Sequence, residues 1–370
     1  MPTLATFNAN NFFLRYRFTR TYPGDQSRKS LVEAAEVGSL GYLPGLAFGH
    51  YPSSYIVWDA QRRELGARGL KEPDGQLPDI LCLQEVENIQ AIRIFNQSYL
   101  DNHYPYSLLI DSYDARNIDV GLLSTFPIGE IRSHIDDVNE KGERIFSRDC
   151  LEAEIQLPDG STLSLLLNHL KSKLVTREPD DTDAQYKRKV KDSHEKRMAQ
   201  AQKVVEYIAQ RFRGRHATAL YAVVGDCNDT PYSPWLAPLM RSSRLTDVLG
   251  KYRPRDRWTY YYRSENRVSQ IDYILASHAL ATRVANVIQA DPAKAPHIER
   301  QGLAYRQLNS SGQVLPREAT LVYVEDDDVT PVPPGAPADE KVSFGFPRYP
   351  EVMTDWKANT SDHCPVKVWF

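Results

Sequence analysis

Cysteine is scarce in this 370-residue chain: Cys82, Cys150, Cys227 and Cys364 stand far apart, with no C-x-x-C pair among them. That spacing excludes a zinc knuckle and a small disulfide scaffold, and it predicts reduced thiols. Neither sign of charge is in excess, with 45 Lys and Arg against 48 Asp and Glu. A protein that coats nucleic acid would be basic overall, so any such binding has to rest on a local patch or on a metal ion. No window approaches the roughly 20 apolar residues of a membrane-spanning helix. The start, Met1-Pro2-Thr3-Leu4-Ala5-Thr6-Phe7, has no basic stretch followed by an apolar one. No signal peptide is read there, and a cytoplasmic protein is expected. No fixed-period repeat runs through the chain. Its 25% charged and 41% hydrophobic residues are ordinary for a globular protein and exclude collagen, coiled coil and low-complexity disorder.

What is present is a mixture of strands and helices. Residues 4–8 read as a short strand, 14–58 as an irregular excursion and 58–70 as helical. Ile80-Leu81-Cys82-Leu83 is a continuous apolar run that suits a strand buried on both faces. Residues 88–100 are amphipathic. Strand-like runs follow at 106–110, 120–124, 149–157 and 162–167, the last two joined by the turn Pro158-Asp159-Gly160. Residues 184–212 form the one long helical pattern, and 220–224 and 271–275 are further strands. Segment 325–340 is acidic and Pro-rich, and by composition alone reads as a linker. Hairpins among helices predict an α/β protein with mixed sheets.

Polar residues gather where these strands end. Glu85 follows an apolar strand, and so do His169 and the pair Asp226 and Asn228. Asp272 sits inside an apolar run, and Asp362-His363 precede the last strand. Strand ends on one side of a sheet are where α/β proteins build sites. Carboxylates without nearby thiols suit a hard cation, Mg²⁺ or Mn²⁺, more than zinc. Two histidines beside carboxylates supply general acid, general base or charge stabilisation. Together this is equipment for metal-assisted attack of water on phosphorus. Each piece alone has a structural alternative, a turn, a cap or a satisfied buried acid. Five pieces of compatible chemistry in one chain favour a site.

The ordered set Phe7-Asn8-Ala9-Asn10-Asn11, Leu83-Gln84-Glu85, Asn168-His169-Leu170-Lys171, Gly225-Asp226-Cys227-Asn228, Ile271-Asp272-Tyr273 and Ser361-Asp362-His363 resembles the endonuclease/exonuclease/phosphatase superfamily, most closely its bacterial nuclease-like branch. The resemblance runs from residue 4 to residue 368. It implies a four-layer α/β sandwich, two packed mixed β-sheets flanked by helices. It also implies one catalytic domain over residues 1–370, with 325–340 a surface loop and not a boundary. Carried over residue by residue, Glu85 is the principal metal ligand, with Asn8 and Asn10 orienting it or binding the ion through water. Many relatives have an acid at the position of Asn10. Asp362 adds a second acidic group, and one or two ions act. Asp226 orients and deprotonates the attacking water, Asn228 holds a phosphate oxygen, and His169 stabilises the growing charge. His363 does the same, protonates the leaving oxygen or acts as base, with Asp272 as its partner. By position alone, Asp119 supports His169.

Substrate contacts are read from charge. Arg148 reaches substrate or forms a structural ion pair, and Lys171 and Lys173 touch flanking phosphates or are solvated surface. Residues 241–267 hold eight basic residues, Arg253, Arg255 and Arg257 among them, against three acids, with Trp258, Tyr260, Tyr261 and Tyr262 interleaved. That mixture suits a nucleic-acid strand; the structural alternative is a solvated loop whose aromatics pack on the sheet. The expected activity is therefore a Mg²⁺- or Mn²⁺-dependent nuclease acting on DNA or RNA. The alternative is a phosphatase or phosphodiesterase for a small or lipid phosphate ester. A non-catalytic interaction protein would have no need of this polar set. No membrane partner and no obligate protein partner are evident.

Overall fold

In a computed structural model of the chain, residues 1–14, 17–19, 51–54, 60–72, 75–262, 267–300, 321–324, 344–347 and 360–370 are described. Strands are numbered along the chain. One six-stranded sheet runs β15 (His297–Ile298), β18 (Val366–Trp369), β1 (Thr3–Phe12), β4 (Ile80–Val86), β6 (Asp119–Ser124) and β5 (Tyr106–Leu109). The second runs β11 (Thr246–Asp247), β14 (Asp272–Ala276), β10 (Leu220–Asp226), β9 (Thr162–His169), β8 (Leu151–Gln156) and β7 (Ile128–Arg132). A smaller sheet joins β12 (Tyr260–Tyr262), β13 (Arg267–Ser269), β16 (Leu321–Val324) and β17 (Phe344–Pro347), and β2 (Arg17–Thr19) pairs with β3 (Tyr51–Ser54). The large sheets are mixed: β1 lies parallel to β4 and β9 parallel to β10, while their other pairs are antiparallel.

The helices are α1 (Ala60–Leu70), α2 (Ile89–Tyr99), α3 (Asp183–Arg211), the single turn α4 (Ala237–Met240) and α5 (His278–Ala290). Asn88 caps α2 through Ala91 N, and Thr182 and Gln185 form a capping box on α3. Three apolar cores separate four layers. Ala5, Phe7, Leu81 and Leu83 pack outward on α1 and α2. Tyr221, Val223 and Leu275 pack outward on Val204 and Ile208 of α3. The inner faces of both sheets meet in the largest core. This is the four-layer α/β sandwich that the motifs imply, with mixed sheets as the hairpins predict.

The expected elements fall within a few residues of those observed, with instructive differences. The first strand runs on to Phe12. Strand β7 has no alternation to betray it, since all of it but Ile128 is exposed. The short β12 lies in the segment read as basic and aromatic, and β13 begins at its last residue. The 325–340 stretch and most of 14–58 fall outside the described residues. All four cysteines are buried and unpaired, as expected.

The two-residue period of the strands explains where polar groups collect. The inner face of β9 reads Leu163, Leu165, Leu167 and then His169; that of β10 reads Leu220, Ala222, Val224 and then Asp226. On β1 the sequence is Leu4, Thr6, Asn8, and on β4 it is Ile80, Cys82, Gln84. One pattern therefore builds the inter-sheet core at one end of four strands and a polar floor at the other.

Gly225 makes that floor possible. Its φ is +131°, and a Cβ there would lie 2.0 Å from the Asn168 carbonyl oxygen on the neighbouring strand. Gly225→Ala therefore has to force β9 and β10 apart beside His169 and Asp226. We expect it to cost about 3 kcal/mol or more. A urea melt would show this, and an unchanged midpoint would refute the close approach.

Candidate active site

Two bulges aim the first carboxylate. By alternation Glu85 would follow Leu81 and Leu83 to the outer face. Instead the register slips at Gln84/Val86 against β6 and between Asn8 and Phe12 against β4. Asn10, Asn11 and Glu85 take left-handed backbone, with φ of 49°, 57° and 60°. Asn tolerates this conformation; Glu does so at a cost of about 1 kcal/mol or more, of the kind found at functional positions. Glu85 Oε2 then accepts from Asn11 N (2.8 Å), while Oε1 faces Arg116 Nη2 at 3.6 Å and His169 Nε2 at 4.0 Å. Arg116 escaped the sequence reading, since nothing in spacing or composition marks a loop arginine that crosses to another strand, and Asn11 stood in the first motif without a role.

Asp226 lies at the centre. Asn8 Nδ2 donates to its Oδ2 at 3.0 Å across the two sheets, and Asn228 donates through N to Oδ1 (2.7 Å) and through Nδ2 to Oδ2 (3.2 Å). His169 Nε2 is 3.4 Å and His363 Nε2 3.9 Å from the same Oδ2. Burial, reinforced by the Asp272 charge, pushes the Asp226 carboxyl up to about 7 against the opposing pull of His363 and the two Asn donors. Burial and the charges of Arg148, His363 and Arg116 drive His169 well below the usual imidazole range, so it is neutral. No hydrogen bond joins Asp119 to it: Asp119 Oδ1 accepts from Ser112 N at 2.9 Å, and among the described residues His169 Nδ1 has no partner.

His363 Nδ1 lies 2.9 Å from Asp272 Oδ2, the expected pair. Thr259 completes it, donating Oγ1 to Asp272 Oδ2 (2.7 Å) while accepting from Asp272 N (3.0 Å). The sequence offered no signal for Thr259. Ser361 Oγ bonds Asn8 O and receives His363 N, tying the last motif to the first strand. Asn10 Nδ2 donates to Asp362 Oδ1. Burial alone would lower the His363 pKa; the charge and hydrogen bond of Asp272, with Asp226 and Asp362, raise it instead to about 10.

That value gives the metal-free protein a pH signature. His363 holds a proton in the folded state that the unfolded chain releases near pH 6.5. The stability it contributes is complete below pH 6.5 and is lost as pH rises through about 10. The urea midpoint of the wild type should fall over this interval by the equivalent of a few kcal/mol, on the order of the linkage for a shift this large. His363→Gln should flatten the fall, and parallel curves would refute the ion pair.

These groups line one cavity of about 650 Å³, which Asn10, Glu85, His169, Asp226, Asn228, Asp362 and His363 all reach. Asn8 and Asp272 lie buried directly behind it. Carboxylate and amide oxygens dominate, with no thiol at the surface, which fits a hard divalent cation. Asp226, Asp272 and His363 come close enough to hold an ion, but Asp272 is committed to His363 and Thr259, and a protonated His363 cannot ligate. Glu85 has the more available oxygen.

The residues expected at substrate fare differently: Lys173 lines the cavity, whereas Arg148, Lys171, Arg253, Arg255 and Arg257 do not. Arg148 is buried, with Nε 2.8 Å from Asp114 and Nη1 donating to Leu170 O. Lys171 is half-buried; burial and the charges of Arg148 and Lys196 lower its pKa. Arg253 and Arg255 face Asp256 at 2.8 and 3.8 Å, while Arg257 is 5% exposed beside the Tyr232 ring. From the same stretch, Tyr260, Tyr262 and Arg267 do form the cavity wall, with the Tyr260 ring 4.8 Å from that of His363. Among the described residues no helix is long and apolar enough to cross a membrane.

No curated protein matches this sequence. Solved structures align over nearly all of it at low identity. They include beta toxin from Staphylococcus aureus (12% identity, 100% of this chain and 99% of that one, TM-score 0.45). A mannosyl-6-phosphatase of Bacteroides thetaiotaomicron aligns at 15% identity, over 99% and 98%, with TM-score 0.47. Truncated Caenorhabditis elegans TDP2 aligns at 14%, over 99% and 96%, with TM-score 0.44. The profile of the Endonuclease/Exonuclease/phosphatase family matches residues 5–363, from β1 to His363 itself, and the chain belongs to that family.

Proposed function

We propose that this protein is a divalent-cation-dependent phosphodiesterase that hydrolyses nucleic acid by in-line attack of water on phosphorus. The observation that carries the reading is the convergence of Glu85, His169, Asp226, Asn228 and the Asp272–His363 pair on one cavity. Glu85 holds the ion, Mg²⁺ or Mn²⁺, with Asp362 and Asn10 beside it and Asn8 orienting Asp226. The ion, when bound, neutralises charge on the phosphate. Asp226 positions a water and takes its proton, a role suited to a carboxyl raised to about 7. Neutral His169 and Asn228 donate to phosphate oxygens. His363, charged and held through Nδ1, gives its Nε2 proton to the leaving oxygen. Residues 1–370 act as one catalytic unit, since β18 pairs with β1 and the site needs both ends of the chain.

Tyr260, Tyr262 and Arg267 on the wall support a strand with stacked bases over a bare phosphate ester. A second reading, a small phosphate ester, is favoured by the cavity volume, which is that of a small-molecule pocket. The purified protein with plasmid, single-stranded DNA, RNA and bis-p-nitrophenyl phosphate separates them. Cleavage of a polynucleotide that stops with EDTA is expected. Turnover of small esters alone would select the second reading, and no turnover of any ester would refute both.

A further inference from the structure

Helix α3 buries a stripe that changes character along its length. Val204, Tyr207 and Ile208 belong to the apolar core outside the second sheet. In the turns before them the same stripe reads Ser193, Arg197 and Gln200, which are 4%, 0% and 1% exposed. Buried polar side chains need partners, and these find them around the two loops that carry the site. Ser193 Oγ donates to Ser172 O at 2.7 Å. Gln200 Oε1 accepts from Lys171 N at 2.8 Å, while its Nε2 donates to Ile145 O at 3.0 Å. Arg197 Nη1 donates to Lys171 O at 2.8 Å, and its Nε and Nη2 both lie 2.8 Å from Asp229 Oδ2. The first loop, 170–173, follows His169 at the end of β9; the second, 227–230, follows Asp226 at the end of β10. They meet at Leu170, whose N donates to Asp226 O and whose O accepts from Asn228 Nδ2, at 2.9 and 3.0 Å. Asp229 Oδ1 accepts from Thr230 N (3.0 Å) and faces Lys173 Nζ (3.3 Å). Burial would raise the Asp229 carboxyl, but the charges of Lys173 and Arg197 hold it below the usual carboxylate range, so it stays ionised. Arg197 joins both loops from behind, without lining the cavity.

Stability alone does not explain an ion pair at this depth. Apolar side chains of similar volume serve a core as well or better, and the same helix uses them one turn later. What an arginine adds is a planar fork that fixes two groups in direction as well as in distance. Here those groups belong to the loops that aim His169 and Asn228. Asn228 stands in left-handed backbone, with φ of 55°, and its side chain bonds both Leu170 O and Asp226 Oδ2. A small drift of one loop against the other therefore changes how Asn228, Asp226 and His169 face each other. We propose that Arg197 is a positioning residue for the reaction: by clamping the loop after β9 to the loop after β10, it fixes His169, Asp226 and Asn228 relative to one another. Ser193 and Gln200 hold the first loop against the helix. This rests on the reading of those three residues as the proton- and phosphate-handling groups of a phosphoester hydrolase.

The test joins native-state hydrogen exchange with kinetics on bis-p-nitrophenyl phosphate at saturating Mg²⁺. Arg197→Met should speed exchange at the Leu170, Lys171 and Asn228 amides, while the amides within β9 and β10 keep their protection. Its kcat should fall by roughly 10- to 100-fold, the effect of a small misplacement of reacting groups. KM and Mn²⁺ affinity should hardly change, because Tyr260, Tyr262 and Glu85 lie on other elements. Arg197→Lys keeps the charge without the fork and should fall in between. Arg197→Met combined with Asp229→Asn removes the pair whole and strands no buried charge. It carries the same expectation if the single variant does not fold. Val204→Ala, in the apolar half of the stripe, is the control: it should lower the urea midpoint and leave kcat as in wild type. Wild-type kcat in Arg197→Met, a loss no larger than in Val204→Ala, or unchanged exchange in both loops would each overturn the assignment. Faster exchange in both loops of a protein that hydrolyses no ester would keep the clamp and refute the hydrolase. Ester hydrolysis that ignores Arg197 would do the reverse.

Discussion

Glu85→Ala is expected to lower turnover at millimolar Mg²⁺ by about 10³-fold or more, because an ion acting as Lewis acid supplies several kcal/mol of charge stabilisation. The fold should survive. The Glu85 side chain makes one backbone hydrogen bond, to Asn11 N, and its φ of 60° strains Ala no more than Glu. The urea midpoint should stay within about 1 kcal/mol of wild type, as for substitutions outside a packed core. Glu85→Gln should lose as much activity, since it keeps the shape and removes the charge. Two results would end the metal reading: wild-type activity that persists in excess EDTA, and a Glu85→Ala protein as active as wild type.

His363→Ala is expected to cost about 10²–10⁴-fold in kcat, the range of a positioned acid–base group. Asp272→Asn keeps the ring but removes the charge that raises its pKa to about 10. It should cost less than loss of the ring, and the basic limb of the pH–rate profile should move to lower pH. Thr259 still holds position 272 through its hydroxyl, so the change is electrostatic before it is steric. The double variant should be little worse than His363→Ala, because groups that act as a unit are strongly non-additive. Fully additive losses would show that the 2.9 Å contact has no part in the reaction.

The chemistry of the site was legible because it is local in sequence. Glu85, His169 and Asp226 each follow an apolar run that reads as a strand, which marks a strand end. The phase of Glu85 on its strand was not legible. Only the paired register slips of β1, β4 and β6 turn it inward, and a slip depends on three strands at once. Charge counting brought Arg253, Arg255 and Arg257 toward substrate, but composition has no direction; Asp256 and the Tyr232 ring engage them away from the cavity.

Taken by itself, the sequence determined the α/β class with mixed sheets and the oxygen-rich donor set, both through residue type and period within a few neighbours. The four layers and the pairing of Asp272 with His363 were implied by the resemblance of its ordered motifs to the family. The tertiary structure alone decided which groups stand behind them. Thr259 reaches Asp272 through the pairing of β12 with β13, Asn8 reaches Asp226 across 218 residues, and Arg148 is linked to Glu85 by way of Asp114 and Arg116. Those contacts depend on how two sheets close on each other, a geometry that the distant packing of the inter-sheet core sets and no local pattern encodes.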